Sequence, residues 1–204
     1  MLNQFFVAWE ALCTQVPEPP RLKICDRYAN SQLENQFGEL IRFRERFIDD
    51  GQAIVFNTMY TTCRGTCSGT SATIESLREV LSPVFGTRLS FVSLSIDPIV
   101  DNRHKLLRFA KRYGADRPRQ GLCDWHFLTG TRAQVTELRR SLGFYDLNPQ
   151  VDADVTQHAS TLMFGNSTND RWSSMPSELP EEQLVTSIRR VAGYTFEQKY
   201  GIRP

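Results

Sequence analysis

The chain has 204 residues, 40% of them hydrophobic and 23% charged, enough for one globular domain with a substantial core. Its 24 basic and 23 acidic side chains leave a formal net charge of +1, so no bulk positive field is present to hold nucleic acid or an anionic membrane. Five cysteines, an odd number in a chain this long, do not read as a disulfide framework.

The N-terminal stretch from Met1 to Glu10 carries a few apolar residues and then a charge. It has no basic start, long apolar run or small-residue cleavage site, so it does not read as a signal peptide, and no stretch reaches the length of a membrane helix. Pro17, Pro19 and Pro20 preclude a continuous helix. Residues 1–32 are therefore expected to be an irregular extension, and residues 33–204 one domain. Residues 32–47, with Gly38 at a turn, read as a short hairpin or strand followed by a helical turn that ends at Asp49, Asp50 and Gly51. There Arg42, Arg44 and Arg46 alternate with Phe43 and Phe47, which reads as the solvated face of a local element rather than a binding patch.

The apolar run beginning at Ala53 predicts a buried strand over 53–58. Ile74, Leu77, Val80 and Leu81 stand at helical spacing and predict a helix over 71–81, stopped by Pro83 and Gly86. Residues 89–97 alternate and predict a second strand, ending at Asp97-Pro98. Asp101 or Asn102 can cap the following helix, whose apolar face includes Leu106, Leu107 and Phe109 and which ends at Gly114. A short strand is expected over 125–128. Thr131 then caps a helix with Val135, Leu138 and Leu142 inward, ended by Gly143. A polar loop over 145–157 leads to a strand at 160–164, which pairs back with 171–174 as a hairpin, and Pro180 starts the last helix. That order predicts an α/β fold, a thioredoxin-like sandwich with a central mixed sheet flanked by helices.

Cys63 and Cys67 lie four positions apart where the first core strand hands over to a helix. Backbone N–H groups at a helix start favour negative charge, so thiolates are stabilised there, and thiolates bind soft metals or exchange disulfides. Cys13, Cys25 and Cys123 are isolated and read as small buried apolar residues, although Cys13 and Cys25 could pair. In this architecture the turn carrying Cys63 and Cys67 lies at the carboxyl end of the sheet. The segment entering the hairpin brings His158 to the same end. His104 is expected to be solvent-exposed, and His126, inside its strand, to be packed or at the surface rather than a ligand. Two thiolates and one imidazole suit Cu(I) and also accept Cu(II), whereas a structural zinc would want a fourth strong ligand.

The run Met59-Tyr60-Thr61-Thr62-Cys63-Arg64-Gly65-Thr66-Cys67 resembles the Tyr-Thr-x-Cys-x-x-x-Cys signature of Sco/SenC proteins, thioredoxin-fold copper chaperones associated with building the CuA centre of cytochrome c oxidase. Ser95-Ile96-Asp97-Pro98 with Asp101 is similar to the family's Ser-x-Asp-Pro-x-x-Asp segment. Trp125-His126-Phe127-Leu128-Thr129-Gly130 is similar to its Trp-x-x-Leu-Thr-Gly, Leu142-Gly143-Phe144-Tyr145 also fits, and His158 falls where the family places its metal-binding histidine. The resemblance covers roughly residues 32–193. It implies that Cys63, Cys67 and His158 are the copper ligands, with Asp97 a supporting residue beside them. The sequence departs from the family at Ser68, which stands where proline usually follows the second cysteine, and at Gly65-Thr66, a looser pair than usual.

The resemblance implies a metallochaperone that delivers copper to a cuproprotein such as a cytochrome c oxidase subunit, or maintains that partner's thiols. It also implies a location in the periplasm or on the outer face of a membrane, although no export signal or anchor is visible. The alternative is a thiol–disulfide oxidoreductase that cycles a Cys63–Cys67 disulfide with a thiol reductant partner. Against it, thioredoxin-type reductases use C-x-x-C, and a proline stands opposite their cysteines where this chain has His158-Ala159. A thiol peroxidase would need a partner set for its cysteine that the sequence does not supply; Arg64 alone adjoins Cys63.

Overall fold

The structure, a computed structural model, describes residues 22–63, 65 and 67–193, with Cys67 described by its backbone alone. Cys13, the prolines of the N-terminal extension, Arg64 and Thr66 lie outside the described residues. In chain order the strands are β1 (Gln32–Asn35), β2 (Leu40–Arg42), β3 (Ala53–Met59), β4 (Leu89–Ser95), β5 (Asp124–Thr129), β6 (Thr161–Asn166) and β7 (Arg171–Pro176). The helices are α1 (Phe43–Phe47), α2 (Cys67–Phe85), α3 (Arg103–Lys111), α4 (Arg132–Ser141), α5 (Pro149–Ala153) and α6 (Glu181–Val191). The strands form one mixed sheet in the order β2-β1-β5-β4-β3-β6-β7. Strands β3, β4 and β5 are parallel to one another at its centre, and the outer strands pair antiparallel.

Alternation along the central strands divides the apolar side chains between two cores, because successive residues point to opposite faces. Val55, Phe91, Phe127 and Phe164 pack under α2, α3 and α6, against residues such as Leu77, Phe109 and Ile188. Ile54, Phe56, Val92 and Leu128 pack on the other face, against Phe43, Phe47, Val135 and Leu138 from α1 and α4. Both faces are covered, so every residue of β3 and of β4 is buried, serines included. The polar groups buried this way satisfy one another. Ser93 donates to Asn57 Oδ1 at 2.6 Å and accepts from Trp125 Nε1 at 2.9 Å, a ladder of three side chains from three adjacent strands. Along the edge of β5 that β1 leaves open, the Gln36 amide stands in for a strand. It donates to the Trp125 carbonyl at 2.8 Å and accepts from the Phe127 amide at 2.9 Å.

Two expectations are corrected. Helix α2 runs from Cys67 to Phe85, not over 71–81, and Pro83 lies inside it. The missing Pro83 N–H frees the carbonyl of Glu79; both residues are exposed, where water can take the bond, while buried Leu77, Leu81 and Phe85 hold the helix on the sheet. The segment 145–157 is not all loop: Asn148 caps α5 by accepting from the Gln150 amide, and a 3-10 turn follows at Val155–Gln157. Elsewhere the capping residues are those expected. Thr131 and Gln134 form a reciprocal capping box on α4, and Gly143 ends that segment with φ at 85°.

Of the two places expected for His126, packed or at the surface, the structure shows the first: it is 8% exposed, with its ring edge-on to Phe47 at 5.2 Å. Neither of its ring nitrogens has a hydrogen-bond partner among the described residues, and burial lowers its pKa from 6.5 to about 4. His104 is exposed. Phe43 and Phe47 are wholly buried while Arg42 is exposed, the local amphipathic element expected there. Among the described residues no helix is long and apolar enough to cross a membrane.

Candidate metal centre

The loop after β3 leaves the sheet at its carboxyl end. Met59 accepts a backbone hydrogen bond from Ile96, which keeps the ends of β3 and β4 together one step past the strands. The chain then turns, with the Cys63 amide donating to the Tyr60 carbonyl at 3.3 Å. Cys63 is half-buried and packs against the core beneath α2. Its sulfur lies over Gly65, where an added Cβ would stand 4.0 Å from Sγ, an ordinary contact. Cys67 is the first residue of α2, so it sits at the helix start itself rather than in the preceding turn. That is the position where aligned N–H dipoles favour a thiolate.

His158 comes from the other side of the sheet. Strand β6 runs antiparallel to β3 with Phe56 opposite Met163. The His158 ring is half-buried and meets the buried Tyr60 edge-on at 5.4 Å. Its Nδ1 is 2.7 Å from the Val155 carbonyl. A carbonyl only accepts, so the proton lies on Nδ1 and the lone pair on Nε2, the tautomer that presents Nε2 to a metal. Val155 packs against the same core as Cys63, so the histidine's support and the first cysteine rest on one surface. Among the described residues, which exclude the Cys67 side chain, no three His, Cys, Asp or Glu groups gather that could hold a metal.

Asp97 and His158 both line a cleft of about 480 Å³, walled by Arg132, Arg139, Phe144 and Tyr145. Asp152 straps the far wall. Its carboxylate takes both terminal nitrogens of Arg139 and one of Arg140, and the Arg139 hydrogen bond holds it well below the usual carboxylate range. The strap ties α5, five residues before His158, to α4.

Asp101 is the residue whose role the sequence reading missed. Asn102, not Asp101, caps α3, accepting from the amides of His104 and Lys105. Asp101 is 2% exposed and faces the cysteine loop instead. Its Oδ2 accepts from the Thr61 amide at 2.9 Å and from Ser95 Oγ at 2.7 Å, and its Oδ1 from the Thr61 hydroxyl. The signal lay in the Ser-x-Asp-Pro-x-x-Asp pattern, whose first and last members bond to each other.

The remaining described cysteines are set for packing. Cys25 is a free thiol raised to about 11 by burial, and then by Asp170. Burial likewise raises Cys123, which is wholly buried and donates to the Gly86 carbonyl at 3.1 Å. Such thiols are poor nucleophiles and poor ligands.

The model of the SCO1/SenC family matches residues 29–193. Among solved structures, yeast Sco1 with copper bound is 16% identical, with 87% of this chain and 96% of that chain covered and a TM-score of 0.64. A SCO1/SenC family lipoprotein from Bacillus anthracis is 18% identical, with 80% and 94% covered and a TM-score of 0.62. BsSco, described with a disulfide switch and as a member of the Sco family of cytochrome c oxidase assembly proteins, is 18% identical, with 86% and 96% covered and a TM-score of 0.59. No curated protein matches the sequence. At these identities the structural likeness carries the fold, the thioredoxin-like α/β sandwich expected from the order of elements. The match over residues 29–193 carries more: the chain belongs to the SCO1/SenC family.

Proposed function

We propose that this chain binds one copper ion through the thiolates of Cys63 and Cys67 and Nε2 of His158, and hands it as cargo to a cuproprotein such as a cytochrome c oxidase subunit. The observation that carries this reading is the contact of His158 Nδ1 with the Val155 carbonyl, on a ring that meets Tyr60, at the start of the cysteine loop, edge-on. Copper bound in yeast Sco1 supports the choice of metal. Three ligands leave the ion open to an incoming donor, which is what transfer requires: the acceptor's ligand enters as one of these three leaves. Asp97, in the cleft beside His158, is the residue that would meet that incoming group.

Copper analysis and visible spectroscopy after Cu(II) addition test the proposal. One copper per chain is expected, with a thiolate-to-copper charge-transfer band lost in Cys67→Ser and weakened in His158→Ala. Equal copper uptake by a chain lacking all three side chains would sink it.

A second reading is favoured by the disulfide switch described for BsSco. Here Cys63 and Cys67 give two electrons and two protons to an acceptor's disulfide, which leaves as a dithiol while they form a disulfide, and a thiol reductant restores them. This chemistry predicts a measurable rate of reduction of the acceptor's disulfide, with a dependence on both cysteines but not on His158.

A further inference from the structure

We propose that Asp101 is the positioning residue of the cysteine loop, acting through Thr61; the inference deepens the copper reading and rests on it for its functional consequence. The buried carboxylate sits where three parallel strands end. It receives the amide and hydroxyl of Thr61 from the end of β3 and the hydroxyl of Ser95 from the last residue of β4. Its own backbone closes the frame. The Asp101 amide donates to the Asp97 carbonyl at 2.8 Å, and the Asp101 carbonyl accepts from Thr129 Oγ1, at the end of β5, at 3.0 Å. Ser95 Oγ in turn accepts from the Asp97 amide at 3.2 Å.

Ser95, Asp101 and Thr129 are all buried, so these bonds form away from water, where an unmade one is costly. Among the described residues no arginine or lysine pairs with Asp101 within ion-pair distance. Its acceptor capacity is directed to hydroxyls and an amide, not to a counter-charge. Thr61 is two residues before Cys63, and the Cys63 amide closes on the Tyr60 carbonyl. Fixing Thr61 at both its amide and its hydroxyl therefore fixes the start of the turn that carries the first sulfur. The same carboxylate orders the turn that carries Asp97, so the cysteine loop and one wall of the cleft share a single anchor.

The test compares the full chain with Asp101→Ala, Asp101→Asn and Thr61→Val, and with Gln36→Leu as a structural control that breaks buried bonds to β5 without touching Thr61 or the Asp101 carboxylate. Two quantities are read: amide hydrogen exchange at Thr61 in the copper-free protein, and release of Cu(I) to an excess of a chromogenic chelator. Asp101→Ala is expected to speed both at least tenfold while exchange in β3 stays slow. Asp101→Asn is expected to return both to within threefold, because its amide oxygen still accepts from the Thr61 amide and its NH₂ can donate to the Thr61 hydroxyl. Gln36→Leu is expected to lower the melting temperature without moving either reading.

A folded Asp101→Ala protein with both readings within twofold of the unaltered chain overturns the proposal, as does an equal change in Gln36→Leu. If Asp101→Ala does not fold, Thr61→Val decides: faster copper release by about threefold supports the anchor, and an unchanged rate refutes it. If the unaltered chain holds no copper, the copper reading fails, and the exchange rate of Thr61 alone decides the role of Asp101.

Discussion

His126 makes the folded protein sensitive to mild acid in a window that its carboxylates do not share. The imidazole ordinarily titrates near 6.5; burial lowers it to about 4, opposed by Asp124 and Glu39 and aided by Arg46 and Arg78. A proton therefore binds the unfolded chain more readily than the folded one at any pH between these values. Stability is undiminished above pH 6.5, falls by roughly 1.4 kcal/mol per pH unit below it, and levels off below pH 4. Between pH 7.5 and 4.5 the loss from this one group is about 2.5 kcal/mol, a large share of the stability of an ordinary domain. Asp152, whose carboxyl is held low by Arg139, adds its own loss as the pH falls through the usual carboxylate range and below it, at the acid end of the His126 window and beyond. The comparison is with His126→Phe, which keeps a ring against Phe47 and removes two buried nitrogens without partners. Urea unfolding of both proteins at pH 7.5 and pH 4.5 gives the difference directly, provided the m-values agree. The gap between them should widen by about 2.5 kcal/mol at the lower pH. Parallel loss in the two proteins would show that His126 is not the group that titrates.

Asp152→Asn should cost about 3 kcal/mol by leaving Arg139, 15% exposed, without its carboxylate, and should loosen the segment leading to His158; urea midpoints and copper release measure the two parts. Ser93→Ala should cost about 2 kcal/mol, because both Asn57 Oδ1 and Trp125 Nε1 lose their partner in a closed interior; thermal unfolding and tryptophan fluorescence report it. Gly165→Ala should cost about 1–3 kcal/mol, since a Cβ there runs into the Trp172 ring and the Arg171 carbonyl across the hairpin, and a lowered melting temperature is the readout.

Most of the sheet was legible because β3 carries an apolar run and β4 a strand-like alternation, and the helices on it carry caps such as Thr131 and stops such as Gly143. What misled was local chemistry overridden by packing. Pro83 reads as a helix stop, yet α2 passes through it because its lost bond faces water and its neighbours on the inner face are anchored. Helix α5 was hidden because five residues around Val151 carry too little periodicity to register, and it stands on its asparagine cap and on the Arg139–Asp152 pair. At the site, the cysteine spacing could be read directly. The place of His158 was read from the order of elements, which brings the segment entering the hairpin to the cysteine end, and the family resemblance agreed; its tautomer comes from a carbonyl three residues away that no sequence pattern marks. Asp101 was read as one of two possible caps and as the end of the Ser-x-Asp-Pro-x-x-Asp segment, with no partner named for its carboxylate. The longer reach, forty residues back to Thr61, appears only once β3 and β4 lie side by side.

The ladder of Asn57, Ser93 and Trp125 serves as a ruler for that alignment. Hydrogen-bonded polar groups have one satisfactory pairing in an apolar interior, so they oppose a slide of one central strand along another more sharply than interchangeable valines and leucines would. A one-residue slip between β3 and β4 would carry the end of β3 about 3.3 Å along the sheet and invert its faces. Thr61 would then miss the carboxylate that receives it. The depth at which the cysteine loop emerges is thus measured out by three side chains in the middle of the sheet, near neither sulfur in sequence.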